Sequence, residues 1–245
     1  KALSGVARDQ VVISTKKSYR KEISPVLLRA GLEISLQQLQ TDYIDIYNLH
    51  GVAAADYPRL RDEILPVFAQ LRTEGKIRFI GVSEMFGEDK VHQMLLDSLP
   101  DDPWDVAMIG FNILNQTARQ QVFPKTIEQN VAVQIMFAVR RALSQPEKLV
   151  AAVQELINVG QLDPSEVDLA NPLGFVLEES DATSIVDAAY RFCRYEPGVH
   201  VVLSGTGNPD HLQANIDSLC RPPLPDEVVQ KLRHIFRNAS AVTGQ

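Results

Sequence analysis

A parallel α/β fold is the reading that the sequence of this 245-residue chain supports best. Short runs rich in β-branched and apolar residues alternate with stretches long enough for amphipathic helices, the order of βαβ units. Most of the runs are apolar on both faces, as strands covered by helices should be. The length is close to the ~250 residues typical of one (β/α)8 barrel, although two small α/β domains would fit it as well.

Taken in order, the strand runs are 11–16 (VVISTK), 43–50 (YIDIYNLH), 77–84 (IRFIGVSE), 106–112 (VAMIGFN), 131–139 (VAVQIMFAV) and 199–207 (VHVVLSGTG). The first helix opens at Ser24-Pro25, a capping serine followed by proline at the first helical position. It carries a stripe of Leu28, Leu32, Leu36 and Leu39 at helical spacing. Residues 60–74 read as a helix stopped by Gly75, with Pro66 either kinking it or marking its true start. Helices are also expected over 87–99 and over 181–195, the latter capped by Asp181 or Thr183 and halted before Pro197-Gly198. Residues 1–9 look like the tail of a helix. Residues 140–180 form a long irregular insertion with one helix at about 147–159, of the kind that lies over the mouth of a barrel. With no linker or break in composition, one domain over 1–245 is expected.

Composition narrows the function classes. The chain carries 24 Lys and Arg against 31 Asp and Glu, a net charge of −7, and no basic block. That argues against a nucleic-acid partner. No apolar run reaches the ~18–20 residues that would span a bilayer. Cys193 and Cys220 are too few for a disulfide framework and lack zinc-type spacing. A reducing, cytoplasmic setting follows as the default expectation, and a small molecule as the partner. Nothing in the sequence sets the oligomeric state.

The polar residues at the strand ends carry more information. The runs finish on Lys16, His50, Ser83-Glu84, Asn112 and Ser204-Gly205-Thr206-Gly207-Asn208. In α/β barrels the C-terminal strand ends form the reactive face, so several polar ends suggest a site where one alone would be unremarkable. The string SGTGNPDHLQAN runs from a strand through a glycine turn into a helix started by Asn208-Pro209. Backbone N–H groups at such a start suit an anion, but Asp210 stands where a dinucleotide fingerprint would have its third glycine. A plain tight turn reads the string equally well.

Three segments, ISLQQLQTDYIDIYNLH, EGKIRFIGVSE and SGTGNPDHLQANI, resemble in order and spacing the aldo-keto reductases. The resemblance runs from Arg8 to about Phe236. It implies a (β/α)8 TIM barrel of which this chain shows strands 3–8. It also implies reduction of an aldehyde or ketone, or oxidation of the corresponding alcohol or sugar, with NADP(H) or NAD(H). By the same resemblance Lys16 and His50 are the catalytic residues, and Asp45 falls on a common residue of the second motif. Ser83 and Asn112 match groups that hold the nicotinamide carboxamide, and Phe137 falls where a ring stacks on the nicotinamide. Ser204, Gly205, Thr206, Gly207, Asn208, His211 and Asn215 cover the phosphate and adenosine. No metal is implied.

The chemistry suits these residue types. An alkoxide developing at the carbonyl needs a proton and a polar cradle. An ammonium beside a tyrosine favours the phenolate, and a neutral histidine orients the carbonyl oxygen. Two departures stand out. The family's tyrosine acid, and the aspartate that pairs with the lysine, lie on two βα units expected to be missing from the N-terminal side, since only six strands are found and residue 1 is lysine. Tyr19 would need an unusual fold-back to replace that tyrosine. Glu84 stands where asparagine is usual, and the 204–211 loop has only His211 to meet a 2′-phosphate, with Arg140 and Arg141 as substitutes. The competing expectation is a reductase-like barrel that binds the cofactor as a sensor or subunit without turnover.

Overall fold

A computed structural model describes residues 5–18 and 22–245. The first part of the expected 1–9 helix tail and all of Tyr19 lie outside the described residues. Six strands are found among those described, in chain order across the sheet: β1 (Ser14–Ser18), β2 (Ile44–Val52), β3 (Ile77–Glu84), β4 (Val106–Gly110), β5 (Ala132–Met136) and β6 (Val201–Val202). The β1–β2, β2–β3, β3–β4 and β5–β6 pairings are parallel. The chain divides into two compact units. One comprises residues up to Met85, Gln93–Met108 and Gln129–Val131; the other comprises Phe86–His92, Ile109–Glu128 and Ala132–Gln245.

The first unit holds β1 to β3, the start of β4, and helices α1 (Pro25–Leu39), α2 (Tyr57–Glu63), α3 (Leu65–Thr73) and α4 (Gln93–Ser98). Ser24 caps α1 as the sequence predicts, its side chain accepting from the Leu27 N–H. Leu28, Leu32 and Leu36 are buried on one face, but Leu39 is exposed at the frayed last turn, before Gln40 enters the left-handed region at φ 54°. Pro66 does not kink one long helix. It stands in the first turn of a new one, where its missing N–H leaves no intrahelical bond unmade. The helix expected over 87–99 shortens to α4, because His92 just before it has φ 64°.

Asp45 ties the lower ends of the strands together. It is buried, and its carboxylate accepts from Arg8 at 2.7 Å, Arg78 at 2.9 Å and the Ile13 N–H at 2.9 Å. Arg8 also stacks its guanidinium 3.9 Å from the centre of the Tyr43 ring.

The second unit holds the end of β4, then β5 and β6. Its helices are α5 (Thr117–Gln121), α6 (Phe123–Glu128), α7 (Arg141–Ser144), α8 (Pro146–Asn158), α9 (Gly174–Glu178), α10 (Ile185–Arg194), α11 (Pro209–Cys220) and α12 (Asp226–Ile235). The helix expected near 147–159 is α8, which buries Leu149, Val153 and Leu156. Neither Asp181 nor Thr183 caps α10; Ser184 does, accepting from the Asp187 N–H. Asp181 is instead drawn to Arg191, at 2.7 Å. That guanidinium is 1% exposed and also donates to the carbonyls of Pro222 (2.7 Å) and Pro223 (3.0 Å). Cys193 is buried and Cys220 exposed, both as free thiols. No helix among the described residues is long and apolar enough to cross a membrane.

Burial alone would raise the pKa of Asp45, but the Ile13 N–H and the Arg8 and Arg78 guanidinium groups outweigh it and hold the carboxyl below its ordinary value. A lowered folded value means that this stabilisation is present above the ordinary Asp range near ~4 and is lost as pH falls through the folded value. Asp45→Asn should therefore cost about 1–3 kcal/mol near neutral pH, from weakened buried hydrogen bonds. The gap to the wild type should shrink as thermal melts are repeated from pH 6 to pH 2.5; a gap independent of pH would contradict this.

Candidate active site

Within the first unit, the parallel register sets the predicted residues in rows. Lys16 lies beside Asn48, and Asn48 beside Gly81; Ser18 lies beside His50, and His50 beside Ser83. Because paired residues of parallel strands point the same way, Lys16, His50 and Ser83 share one face of the sheet. The sequence placed Lys16 and His50 at strand ends, but β1 continues to Ser18 and β2 to Val52. Gly51, at φ 69°, sits in the irregularity between His50 and Val52, which the missing Cβ permits.

Lys16 and His50 are both exposed, whereas Ser83 and Glu84 are buried. The Lys16 Nζ reaches the thioether of Met108 on β4, at 3.8 Å. Partial burial first, and then the positive charge of Lys16, lower the pKa of His50. Its imidazole is therefore neutral at neutral pH, the form that can donate one hydrogen bond and accept another. Glu84 follows Ser83 in the strand and so alternates to the opposite face, away from the row of Lys16, Asn48 and His50.

No tyrosine hydroxyl is bonded to Lys16 or His50 among the described residues. Tyr47 alternates to the far side of β2, where its ring lies 5.7 Å from Phe68 of α3 and burial pushes its pKa up to about 12.

Within the second unit the predicted residues fall into three groups. Asn112 is fully buried, and its side chain is engaged by the protein itself. Nδ2 donates to the carbonyls of Phe137 and Thr243, both at 3.1 Å. Oδ1 accepts from the N–H groups of Leu114 (2.9 Å) and Asn115 (3.1 Å). A ligand amide could be held by Asn112 only after one of these bonds was broken. Phe137 has φ 66°, a left-handed conformation that turns the chain at the end of β5. Its ring lies 6.2 Å from Phe86, and the Arg140 guanidinium lies 4.0 Å from its centre.

Ser204, Gly205, Thr206, Gly207, Asn208 and His211 are exposed. A Cβ built at Gly205 or Gly207 would meet nothing within 4 Å, so the backbone of this turn is open to an approaching group. Asn208 caps α11, accepting from the Asp210 N–H at 2.9 Å. Asn215, buried about two turns after that cap, donates to Ser204 Oγ at 3.0 Å, and Tyr190 OH lies 3.1 Å from the same oxygen. An open glycine turn at the start of a 12-residue helix suits the phosphates of a nicotinamide dinucleotide.

Sequence reasoning missed the C-terminal strap over 240–244. Asn115 Nδ2 donates to Val242 O at 3.1 Å, Arg140 Nη1 to Thr243 Oγ1 at 2.9 Å, and the Ala142 N–H to Gly244 O at 2.9 Å. These partners are backbone carbonyls and one hydroxyl, which leave no pattern in a sequence. Asn48 was missed too, lying inside the motif between two recognised residues.

The sequence model of the aldo/keto reductase family matches residues 1–237. The chain belongs to the aldo/keto reductase family. It is accordingly an NAD(P)-dependent oxidoreductase. A match over 1–237 lends no support to the expectation that two βα units are missing. Among curated proteins, the oxidoreductase YqkF of Bacillus subtilis is 24% identical over 238 residues, covering 92% of this chain and 74% of its own. The NADH-specific methylglyoxal reductase of Escherichia coli is 27% identical over 159 residues, 58% of this chain and 47% of its own. Among solved structures, the holo form of the aldo-keto reductase AKR11C1 from Bacillus halodurans superposes with a TM-score of 0.65 at 24% identity, covering 96% of this chain and 74% of that one. That likeness is one of fold: the parallel sheet of six strands is that of aldo-keto reductase structures.

If Asn112 holds the strap, Asn112→Ala should lower stability by about 1–3 kcal/mol through unpaired buried groups. Amide exchange should accelerate first at residues 240–244 and Leu114. Uniform acceleration across the second unit would argue that Asn112 is merely packed.

Proposed function

We propose that this chain reduces a small aldehyde or ketone, or oxidises the corresponding alcohol or sugar, with Lys16 and His50 assisting a tyrosine acid outside the described residues. The observation that carries the reading is the pairing of an exposed ammonium with an exposed, neutral imidazole on one face of the first unit's sheet. When bound, the nicotinamide supplies hydride to the carbonyl or accepts it from the alcohol. The protein's part is to orient the carbonyl and manage its proton. Neutral His50 donates a hydrogen bond to the carbonyl oxygen and orients it. The Lys16 ammonium favours the phenolate of a neighbouring tyrosine and so eases transfer of its proton to the alkoxide.

Residues suited to parts of a nicotinamide dinucleotide occur within each unit. In the first, the Ser83 hydroxyl could be given to an amide, since its hydrogen bond among the described residues is a long one to the Glu84 carbonyl, at 3.5 Å. In the second, the N–H groups and side chains of 204–208, with His211 and Asn215, take the phosphates and adenosine, and Phe137 offers its ring. The α11 sequence PDHLQANIDSLC contains no Lys or Arg and opens with Asp210. A 2′-phosphate would meet a carboxylate there instead of a guanidinium. With an NADH-specific reductase among the relatives, this favours NADH over NADPH for this chain.

Quenching of Trp104 and tyrosine fluorescence on titration with NADH and NADPH tests the binding, with NADH expected to bind at least as tightly. Binding without turnover of any aldehyde would move the reading to the non-catalytic alternative; no binding at all would end both. For turnover, Lys16→Met and His50→Ala should each lower kcat by about a hundredfold or more. Activity should decline on the acid side with an apparent pKa below the ordinary ~6.5 of histidine, as His50 gains its proton.

A further inference from the structure

Asn48 of the first unit is 1% exposed, and its carboxamide oxygen has no hydrogen-bond partner among the described residues. Its orientation follows from the other end of the amide. Nδ2 donates to Ser14 Oγ at 3.2 Å and to the Thr15 carbonyl at 3.1 Å. Turning the amide over would set two carbonyl oxygens against each other, so Oδ1 must face away from β1. It lies over Gly81 of β3, where a Cβ would stand 2.1 Å from it; only glycine leaves room for this amide. A buried acceptor left unpaired is destabilising, so native structures rarely keep one without a reason.

A donor stands in the same row. Lys16 is the register partner of Asn48 and shares its face of the sheet. Met108 is the register partner of Ser83 and Ser83 of His50, so the thioether that Lys16 reaches lies on the face of the sheet that Asn48 occupies. At the end of that reach the ammonium has a thioether at 3.8 Å, a weak acceptor for a full positive charge. An ammonium on a poor acceptor and a buried carbonyl without a donor among the described residues therefore belong to residues paired in register on one face.

We infer that Asn48 is a positioning residue for Lys16: its Oδ1 receives the Lys16 ammonium and holds it on the His50 side of the sheet. This deepens the proposed function and rests on the role given there to Lys16. A neutral acceptor holds the ammonium in place and adds no negative charge beside it. Among the described residues, the other groups near Lys16 are few. His50 faces it from β2. Asp45, lower on β2, is engaged by Arg8 and Arg78. Glu84 of β3 alternates to the opposite face, as does Lys17 of β1, whose side chain packs where a Cβ on Gly31 of α1 would stand. The described part of β4 in this unit, 106–108, carries no charge.

Two experiments test this without turnover, so their failure differs from failure of the proposed reaction. A crystal structure of the wild-type chain should show Lys16 Nζ within hydrogen-bonding distance of Asn48 Oδ1. An ordered water on Oδ1, with Nζ elsewhere, would overturn the inference. The second reads the ammonium directly, as the rate at which an amine-selective acylating reagent modifies Lys16 across a pH series, followed by peptide mass spectrometry with exposed Lys148 as internal reference. Removing the acceptor in Asn48→Leu should release the Lys16 amine and speed its modification about three- to tenfold at a given pH. Asn48→Asp should slow it, because a carboxylate favours the charged form. Equal rates in wild type and either folded variant would sink the idea. If turnover is found as well, Asn48→Leu should lower kcat and leave the cofactor KM within about twofold, whereas a merely structural asparagine would move the melting temperature and neither rate.

Discussion

The parallel register of β1, β2 and β3 is the constraint on which the chemistry proposed for the first unit depends. It sets Lys16 beside Asn48 and His50 beside Ser83, and it brings Gly81 under the Asn48 amide. A slip of one residue would turn each of these side chains to the opposite face. The register is itself held low in the strands. There Asp45 takes hydrogen bonds from the chain before β1, from Arg8 and from Arg78 on β3, so one carboxylate ties three neighbouring segments. The proposed site residues are placed by an interaction outside the chemistry proposed for them.

Electrostatics in that unit separates the roles of the two exposed groups. A lysine keeps its charge near neutral pH, whereas a histidine near its own midpoint is easily tipped either way. Burial and the Lys16 charge both push His50 toward the neutral form. The pair can then present one positive charge and one neutral hydrogen-bonding ring, a division of labour suited to managing a proton while orienting a carbonyl oxygen. In the second unit, by contrast, the buried amides of Asn112 and Asn115 are structural, latching the 240–244 strap through its carbonyls.

Much of the architecture was legible because periodicity and punctuation are local. The β3 run was read with its observed bounds, α1 with its serine cap, and α8 within a residue or so. Errors fell where a long-range partner competed with a local rule. Asp181 has the chemistry of a helix cap but is drawn away by Arg191, leaving the cap of α10 to Ser184. The helix before α4 failed because His92 takes a left-handed backbone, which composition does not announce. The sixth strand ran short, pairing only over Val201–Val202 beside an open loop.

By itself the sequence determined the alternation of strands and helices, the family motifs and the residues that carry charge or a hydrogen-bonding side chain, since these depend on residue type and on spacing within one segment. Only the tertiary structure decided what those residues are free to do. Asn48 in β2 and Asn112 just after β4 are the same residue type, and both are buried. Asn112 has every hydrogen-bonding position filled by the protein, and Asn48 has a carbonyl oxygen that no described residue bonds, above a glycine. The difference is made by the backbone groups that arrive from distant parts of the chain, which a buried amide must find or go without.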